Sequence, residues 1–176
     1  MPESGPLVYL GIDPGLGTTG YGVLSFKSGS IELIDGGTIK SSVKDPLPDR
    51  LNELYSGLLE ILDKYSPGVM GMEKIYAHYK HPETAIKMAH ARGVLSLAAV
   101  RRKVRLVSLP ATRVKKLITG NGRASKEQVS AMVRHLLGLN VEIKPDDLSD
   151  ALAIAIAAYE SEKYDRKYKR LSRKNR

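Results

Sequence analysis

Residues 7–13 alternate between apolar and polar or small side chains, with the two-residue period of β-strands. Strands are predicted over residues 7–13, 20–26 and 31–39. The connections between them are short and contain turn-forming residues, which indicates hairpins. We therefore expect the chain to begin with three strands joined by hairpins and paired antiparallel.

Beyond this unit the apolar positions recur at the spacing of amphipathic helices, interrupted by short apolar runs typical of buried strands. The clearest helical pattern covers residues 46–65 and ends at the breaker Pro67-Gly68. The remaining predicted elements are, in order, a strand over 69–75, a helix over 82–103, a strand over 104–109, short helical segments, a helix over 125–139 and a final helix that begins near 146 and runs past 159. The helix over 125–139 opens with the capping-box-like Ser125-Lys126-Glu127-Gln128. This order predicts an α/β fold with a mixed sheet.

The length of 176 residues is typical of one domain with a sizeable core. We assign residues 1–162 to this domain. The segment 163–176 contains eight basic residues and one acidic residue, and we expect this basic tail to be partly disordered.

Composition narrows the classes of function. The chain has 28 Lys and Arg against 19 Asp and Glu, a net charge of +9, which favours a polyanionic partner. It has no cysteine, so disulfides, thiolate-bound zinc and cysteine nucleophiles are excluded. The N-terminus does not resemble a secretory signal, and no apolar run reaches membrane-spanning length. We therefore expect a cytoplasmic protein without a membrane partner.

Four separated acids carry the candidate chemistry of this basic chain. Asp13 and Glu73 end two apolar strand-like runs, and Asp147 and Asp150 lie three residues apart at the start of the last helix. Each acid alone has an ordinary explanation as a solvated strand end, a turn former or a first-turn helix residue. Together they would repel one another unless a hard divalent cation such as Mg²⁺ neutralised them. Such a cluster in a basic chain indicates phosphodiester chemistry on nucleic acid.

An ordered set of motifs along nearly the whole chain resembles the RuvC family of bacterial Holliday-junction resolvases, within the ribonuclease H-like superfamily. The motifs are Gly11-Ile12-Asp13-Pro14-Gly15, Thr18-Thr19-Gly20-Tyr21-Gly22, Glu73, Ala91-Arg92-Gly93, Val114-Lys115, Gly120-Asn121-Gly122, Lys126-Glu127-Gln128-Val129 and Asp150-Ala151-Leu152-Ala153-Ile154-Ala155. The resemblance implies a ribonuclease H-like fold, with a mixed five-stranded sheet flanked by helices. It also implies a crossover junction endodeoxyribonuclease that resolves four-way junctions by paired symmetric nicks in recombination and DNA repair.

The resemblance assigns catalysis and metal binding to Asp13, Glu73, Asp147 and Asp150. It implies two Mg²⁺ ions per subunit, which Mn²⁺ can replace, with Asp13 bridging both. Asp146 is adjacent to Asp147 and shares a helical face with Asp150, but the family spacing selects Asp147.

Basic and aromatic residues supply candidate DNA contacts. The segment 113–126 is rich in Lys and Arg, including Arg123, although charge alone fits a solvated surface loop equally well. The resemblance assigns phosphate contacts to Lys115 and Lys126. Tyr76 follows Glu73 among alternating aromatic and basic residues and matches a family aromatic that stacks at the branch point.

The helix over 82–103 is apolar on more than one face, which fits either burial within one chain or an interface. The resemblance favours a homodimer built on this helix, and Leu95 and Ala98 are predicted to face the partner. It also implies a branch-migration complex of RuvA and RuvB as a partner.

Three other readings stay open from the residues themselves. The Asp-x-Gly sequence followed by Thr and Gly also opens the phosphate loop of actin-like phosphotransferases and ATPases, which need a larger chain. A related nuclease could process RNA. A junction-binding protein without activity could retain the fold, although the intact acid set argues against it.

Overall fold

The computed structural model of the chain describes residues 7–74 and 82–174, with side chains described as far as Asp165. The elements in these ranges are β1 (Leu7–Asp13), β2 (Thr18–Lys27), β3 (Ser30–Lys40), α1 (Leu47–Tyr65), β4 (Val69–Glu73), α2 (Pro82–Arg101), β5 (Arg105–Leu109), α3 (Ala111–Thr119), α4 (Lys126–Leu136) and α5 (Asp146–Lys174). The predicted order of strands and helices is confirmed. The short helical segments expected after β5 form one helix, α3.

The five strands form one mixed sheet in the order β3-β2-β1-β4-β5. The hairpin strands β1, β2 and β3 pair antiparallel, as their short connections predict. The later strands β4 and β5 each follow a helix, and the pairs β1–β4 and β4–β5 are parallel. The predicted mixed five-stranded sheet is therefore confirmed.

Helices cover both faces of the sheet. Leu10 and Ile12 of β1 point into a core formed with α1 and α2. Tyr9, which directly precedes Leu10, points into a second core, which contains the apolar residues of α3, α4 and α5. The alternation along β1 thus assigns its side chains to two cores, because successive residues of a strand face opposite sides.

The two apolar faces of α2 have different roles from those predicted. Leu95 and Ala98 are completely buried in the core between α2, α1 and the sheet, so their assignment to a dimer interface is wrong. The apolar side chains that α2 exposes are Ile86, Leu97 and Val100. Both faces are visible in the sequence, but the face that turns inward depends on how the helix packs.

Helix α5 is long, and its backbone continues to Lys174 through most of the basic tail. Its central stretch, Ala151 to Ala158, is buried against the sheet. In the described ranges, no helix combines the length and the apolar character needed to cross a membrane.

Candidate active site

Strand pairing brings two of the predicted acids together. The parallel strands β1 and β4 are in register, with Ile12 opposite Met72. The next residue on each strand is an acid, Asp13 and Glu73, at which the strands end. Because the carboxyl ends of parallel strands meet at one edge of a sheet, two residues 60 positions apart become neighbours.

Helix α5 lies close against the same part of the sheet because glycines remove the side chains that would hold it away. A Cβ atom on Gly20 of β2 would collide with the backbone carbonyl of Asp147. A Cβ atom on Gly11 of β1 would collide with the carbonyl of Ala151. The first turns of α5 therefore lie over the end of β1, where Asp13 is located.

This packing places Asp147 and Asp150 beside Asp13. Both aspartates are half-buried and close enough for their charges to raise the pKa of Asp13. Asp146 is exposed, and its charge is not among those that raise the pKa of Asp13. These positions favour Asp147 over Asp146 as the fourth acid of the site.

Three of the four acids line one cavity of about 310 Å³. Its polar lining consists of Asp13, Glu73, Asp150, Lys115 and Lys126. The remaining lining is apolar and comes from α3, α4 and α5: Ala111, Val114, Val129, Ala153 and Ile154. The cavity thus combines carboxylates with two lysines on an apolar base, a combination suited to an anionic substrate and a cation.

The electrostatics of the cavity show an excess of negative charge. Burial and, in decreasing order, the charges of Asp150, Glu73 and Asp147 together raise the pKa of Asp13 from 3.8 to about 7, while Lys126 opposes the increase. Burial and the charge of Asp150 also raise the pKa of Glu73, while Lys126, Lys115 and Arg92 oppose this increase. The lysines therefore offset only part of the repulsion among the acids.

Lys126 is the cation in closest contact with the acids. Its Nζ lies 2.9 Å from Oδ2 of Asp150, and this contact raises the pKa of Lys126. Lys126 is the first residue of α4, which begins with the predicted capping box: Gln128 N donates to Ser125 Oγ at 3.3 Å, and Ser125 N donates to Gln128 Oε1 at 2.9 Å. The cap determines where α4 begins and hence where Lys126 lies.

Lys115 supports the same region from α3. Its Nζ donates to the backbone carbonyl of Ala124 at 2.7 Å, which ties α3 to the segment that precedes α4. Arg123 is exposed in that segment and does not line the acid cavity. Tyr76 lies outside the described residues.

The donor chemistry of the site fits a hard divalent cation, since the acids supply only oxygen ligands and repel one another when ionised. Among residues 7–74 and 82–174, no three acidic or histidine side chains stand close enough to hold an ion directly. Asp13, Glu73 and Asp150 nevertheless face one cavity, and Asp147 adjoins it. Their side chains would have to reorient to bring the oxygens onto a common ion.

The sequence did not assign a role to two features of the site. The close approach of α5 depends on Gly11 and Gly20, and glycines within strand patterns are the signal for such an approach. Arg92 contacts the backbone of Glu73 from α2. Its signal in the sequence is its place in the Ala91-Arg92-Gly93 motif.

Comparison with known proteins supports the resemblance seen in the motifs. Residues 9–158 match the family described as crossover junction endodeoxyribonuclease RuvC. The protein of this name from Rhodopirellula baltica is 45% identical over 150 residues, which cover 85% of this chain and 84% of that relative. The one from Halothermothrix orenii is 38% identical over 162 residues, which cover 92% and 98% of the two chains.

Solved structures agree with the sequence comparison. Thermus thermophilus RuvC in complex with a Holliday junction substrate superposes with a TM-score of 0.85 at 32% identity, covering 90% of this chain and 96% of that one. The yeast mitochondrial Holliday junction resolvase Ydc2 shares the fold, with a TM-score of 0.69 at 18% identity and coverage of 96% and 84%. The ribonuclease H-like fold implied by the resemblance is confirmed. The chain belongs to the RuvC family of crossover junction endodeoxyribonucleases, which are metal-dependent nucleases.

Proposed function

We propose that this protein resolves four-way DNA junctions by hydrolysing one phosphodiester bond in each of two strands, with Mg²⁺ as the cofactor and Mn²⁺ as a substitute. The observation that carries the proposal is the cavity in which Asp13, Glu73 and Asp150 face Lys115 and Lys126. The solved complex of the Thermus thermophilus relative with a junction supports the choice of substrate. An actin-like phosphotransferase is disfavoured because the match to the nuclease family covers residues 9–158.

In this proposal Asp13, Glu73, Asp147 and Asp150 would hold the two ions. Metal bound there would activate the attacking water and stabilise the leaving 3′-oxygen. The raised pKa of Asp13 means that its carboxyl group must lose a proton before it can serve as a ligand. Lys126 must loosen its contact with Asp150 to leave that carboxylate free for coordination.

The lysines of the cavity have a second role in the proposal. Once it is released from Asp150, Lys126 can bind the phosphate next to the cleaved bond, and Lys115 can bind the same strand. Arg123 is exposed between α3 and α4, which suits a contact with the DNA backbone outside the cavity. The stacking role predicted for Tyr76 stays a prediction.

A homodimer would match the two-fold symmetry of a four-way junction and deliver one active site to each cleaved strand. The surface that supports it is the exposed apolar face of α2, formed by Ile86, Leu97 and Val100. Leu97 and Val100 follow Ile86 by 11 and 14 residues. At about 100° per residue, both lie within about 40° of Ile86 around the helix axis, so the three side chains share one face. Their exposed fractions are 57%, 52% and 66%.

Leu97→Glu tests this dimer, because desolvating an unpaired carboxylate at an interface is costly. We expect sedimentation to show a dimer for the wild type and a monomer for Leu97→Glu. Val43→Glu is the matched control, since Val43 is 76% exposed in the loop after β3 and should leave the dimer intact. A wild-type protein that is monomeric at micromolar concentration and still nicks both strands would rule out the arrangement.

The cooperation with RuvA and RuvB and the cytoplasmic location also stay predictions. Binding of the purified protein to a junction already loaded with RuvA and RuvB would test the first. A tagged copy followed by microscopy in the cells that produce it would test the second.

The activity itself is tested by incubating the protein with a mobile four-way junction, a matched duplex, a structured RNA and ATP, each with and without Mg²⁺. We expect cleavage of the junction alone, at symmetric positions in two strands, and none in EDTA. Cleavage of RNA in preference to the junction, hydrolysis of ATP, or full junction cleavage in the chelator would each contradict the proposal.

A further inference from the structure

Arg92 is a charged residue on the half-buried side of α2, next to the strands that end at the candidate active site. Its Nη1 donates to the backbone carbonyl of Glu73, the last residue of β4. Its Nη2 donates to Ser108 Oγ of β5 at 2.7 Å. One guanidinium group therefore joins α2 to the carboxyl ends of two neighbouring strands.

These bonds restrict the backbone at Glu73, one of the four acids of the candidate site. Glu73 pairs with Leu109 of β5, and the next amide, Lys74 N, donates to the carbonyl of Leu109 at 2.8 Å. The Glu73 carbonyl is held by Arg92 on its other side. Both groups belong to the peptide unit that follows the Glu73 Cα atom, so α2 and β5 together hold this unit at the point where the carboxylate leaves the strand.

The charge of Arg92 acts on the same acid from outside the cavity. Arg92 lowers the pKa of Glu73, as do Lys126 and Lys115. Unlike the two lysines, Arg92 is not part of the cavity lining. It lines a separate shallow groove beside α2, together with Lys74, Ala89, Gly93 and Ser96. Substrate in the acid cavity would therefore not touch it.

We propose that Arg92 is a positioning residue of the nuclease, which fixes the Glu73 carboxylate for metal binding through the Glu73 carbonyl and Ser108. The inference rests on the proposed function, in which Glu73 is a metal ligand. The planar guanidinium group reaches both acceptors at once, a task that the single ammonium group of lysine cannot perform in the same geometry.

The test compares Arg92→Ala and Arg92→Lys with the matched control Arg102→Ala. Arg102 follows the other end of α2 and donates to Asp63 in an exposed ion pair. The measurements are the single-turnover cleavage rate at saturating protein, the affinity for the junction without metal, and the affinity for Mn²⁺ alone, followed by the electron paramagnetic resonance signal of the free ion. Circular dichroism gives the folded fraction, to which each value is normalised.

We expect Arg92→Ala to lower the cleavage rate and the Mn²⁺ affinity about 10–100-fold, the range for residues that orient metal ligands. Arg92→Lys should recover only part of this loss. Junction affinity should change less than about twofold, because Arg92 lies outside the cavity. Guanidinium ion at millimolar concentration should restore part of the cleavage by Arg92→Ala, and Arg102→Ala should match the wild type.

The outcomes separate this inference from the proposed function. Wild-type cleavage by Glu73→Gln would remove Glu73 from the site and end the proposed mechanism. An inactive Glu73→Gln together with wild-type cleavage and Mn²⁺ affinity in Arg92→Ala would overturn the positioning role alone. A slow Arg92→Ala variant with unchanged Mn²⁺ affinity and no response to guanidinium ion would also overturn it, because it would show a purely structural effect.

Discussion

Asp13 and Glu162 are two carboxylates held between β1 and α5, and their surroundings are opposite in character. Glu162 is 6% exposed, accepts a hydrogen bond from Tyr9 Oη at 2.9 Å, and forms an ion pair with Arg105. Asp13 lies four residues after Tyr9 on β1, and its neighbours are three further acids and one lysine. The same helix and strand thus hold one acid beside a hydrogen-bond donor and a cation, and another acid among like charges.

The difference separates an acid that supports the fold from acids that serve chemistry. A buried carboxylate with hydrogen bonds and a cationic partner is compatible with stability, because its charge is balanced inside the protein. A carboxylate among other carboxylates is costly to ionise, and a cation bound from solution would stabilise its ionised form. Charge balance at the two ends of the β1–α5 contact therefore predicts different consequences for matched substitutions.

The largest contrast is expected in cleavage. Asp13→Asn should reduce the rate of junction cleavage at least about 10³-fold, equivalent to about 4 kcal/mol of transition-state stabilisation, because a neutral amide is a poor ligand for hard cations. Glu162→Gln, the matched change at the other end, should cleave at the wild-type rate per folded molecule. Junction binding in EDTA serves as the control for folding and should persist in both. Equal losses of cleavage in the two variants would show that Asp13 and Glu162 do not differ in role.

A second contrast concerns stability and pH. The pKa of Asp13 is about 7 in the folded chain against an ordinary value of 3.8, so the folded state binds the extra proton between these pH values. Stability conferred by that proton is lost as the pH rises from about 4 to 7. In EDTA, Asp13→Asn should therefore be more stable than the wild type, by up to about 4 kcal/mol at pH 8 and by less than about 1 kcal/mol at pH 4.

Urea unfolding of both proteins at the two pH values measures this difference. Saturating Mg²⁺ at pH 8 is the internal control, because a bound cation should remove the advantage of the neutral variant. An Asp13→Asn variant that is less stable than the wild type at pH 8 in EDTA would show that the acids do not repel one another as described.

A third test concerns the packing of α5 on the sheet, which places two of the acids beside Asp13. Gly20→Ala places a methyl group against the carbonyl of Asp147, and α5 must move to accommodate it. We expect a loss of about 1–3 kcal/mol in the free energy of unfolding. Cleavage should fall more than this loss explains, since the displaced turn carries two acids.

Gly68→Ala is the matched control for Gly20→Ala, because a Cβ atom there meets no neighbouring atom. Its stability and cleavage should stay close to those of the wild type. Wild-type cleavage by a folded Gly20→Ala variant would indicate that the exact seating of α5 on the sheet is unimportant for the acids.

The smallest effect is expected at the end of the β1–α5 contact that holds Glu162. Arg105→Ala removes a cation from a buried carboxylate, but Arg105 itself is 58% exposed, so part of the ion pair is screened by water. A loss of about 1–2 kcal/mol in the free energy of unfolding is expected, because this screening reduces the roughly 1.5–3 kcal/mol of a charged hydrogen bond. Cleavage per folded molecule should not change. A cleavage defect at full folding would mean that the two ends of the β1–α5 contact are coupled.

Local patterns along the chain were sufficient for the element order and for the candidate acids. Alternation over residues 7–13 predicted a strand with two differently buried faces, and Tyr9 and Leu10 do enter separate cores. Short connections predicted the antiparallel hairpins. The capping-box pattern at Ser125 predicted where α4 begins. These features depend on neighbours in sequence, which is why they can be read without the fold.

Contacts between distant segments required the three-dimensional arrangement. The register of β1 with β4 makes Asp13 and Glu73 neighbours, and the glycine at position 20 lets the first turn of α5 approach them. The inward face of α2 was misjudged at Leu95 because that helix has two apolar faces, and only its packing against α1 and the sheet distinguishes them. The residue types and their periodicity are local properties of the chain, whereas register, helix seating and charge balance are set by what lies across the core.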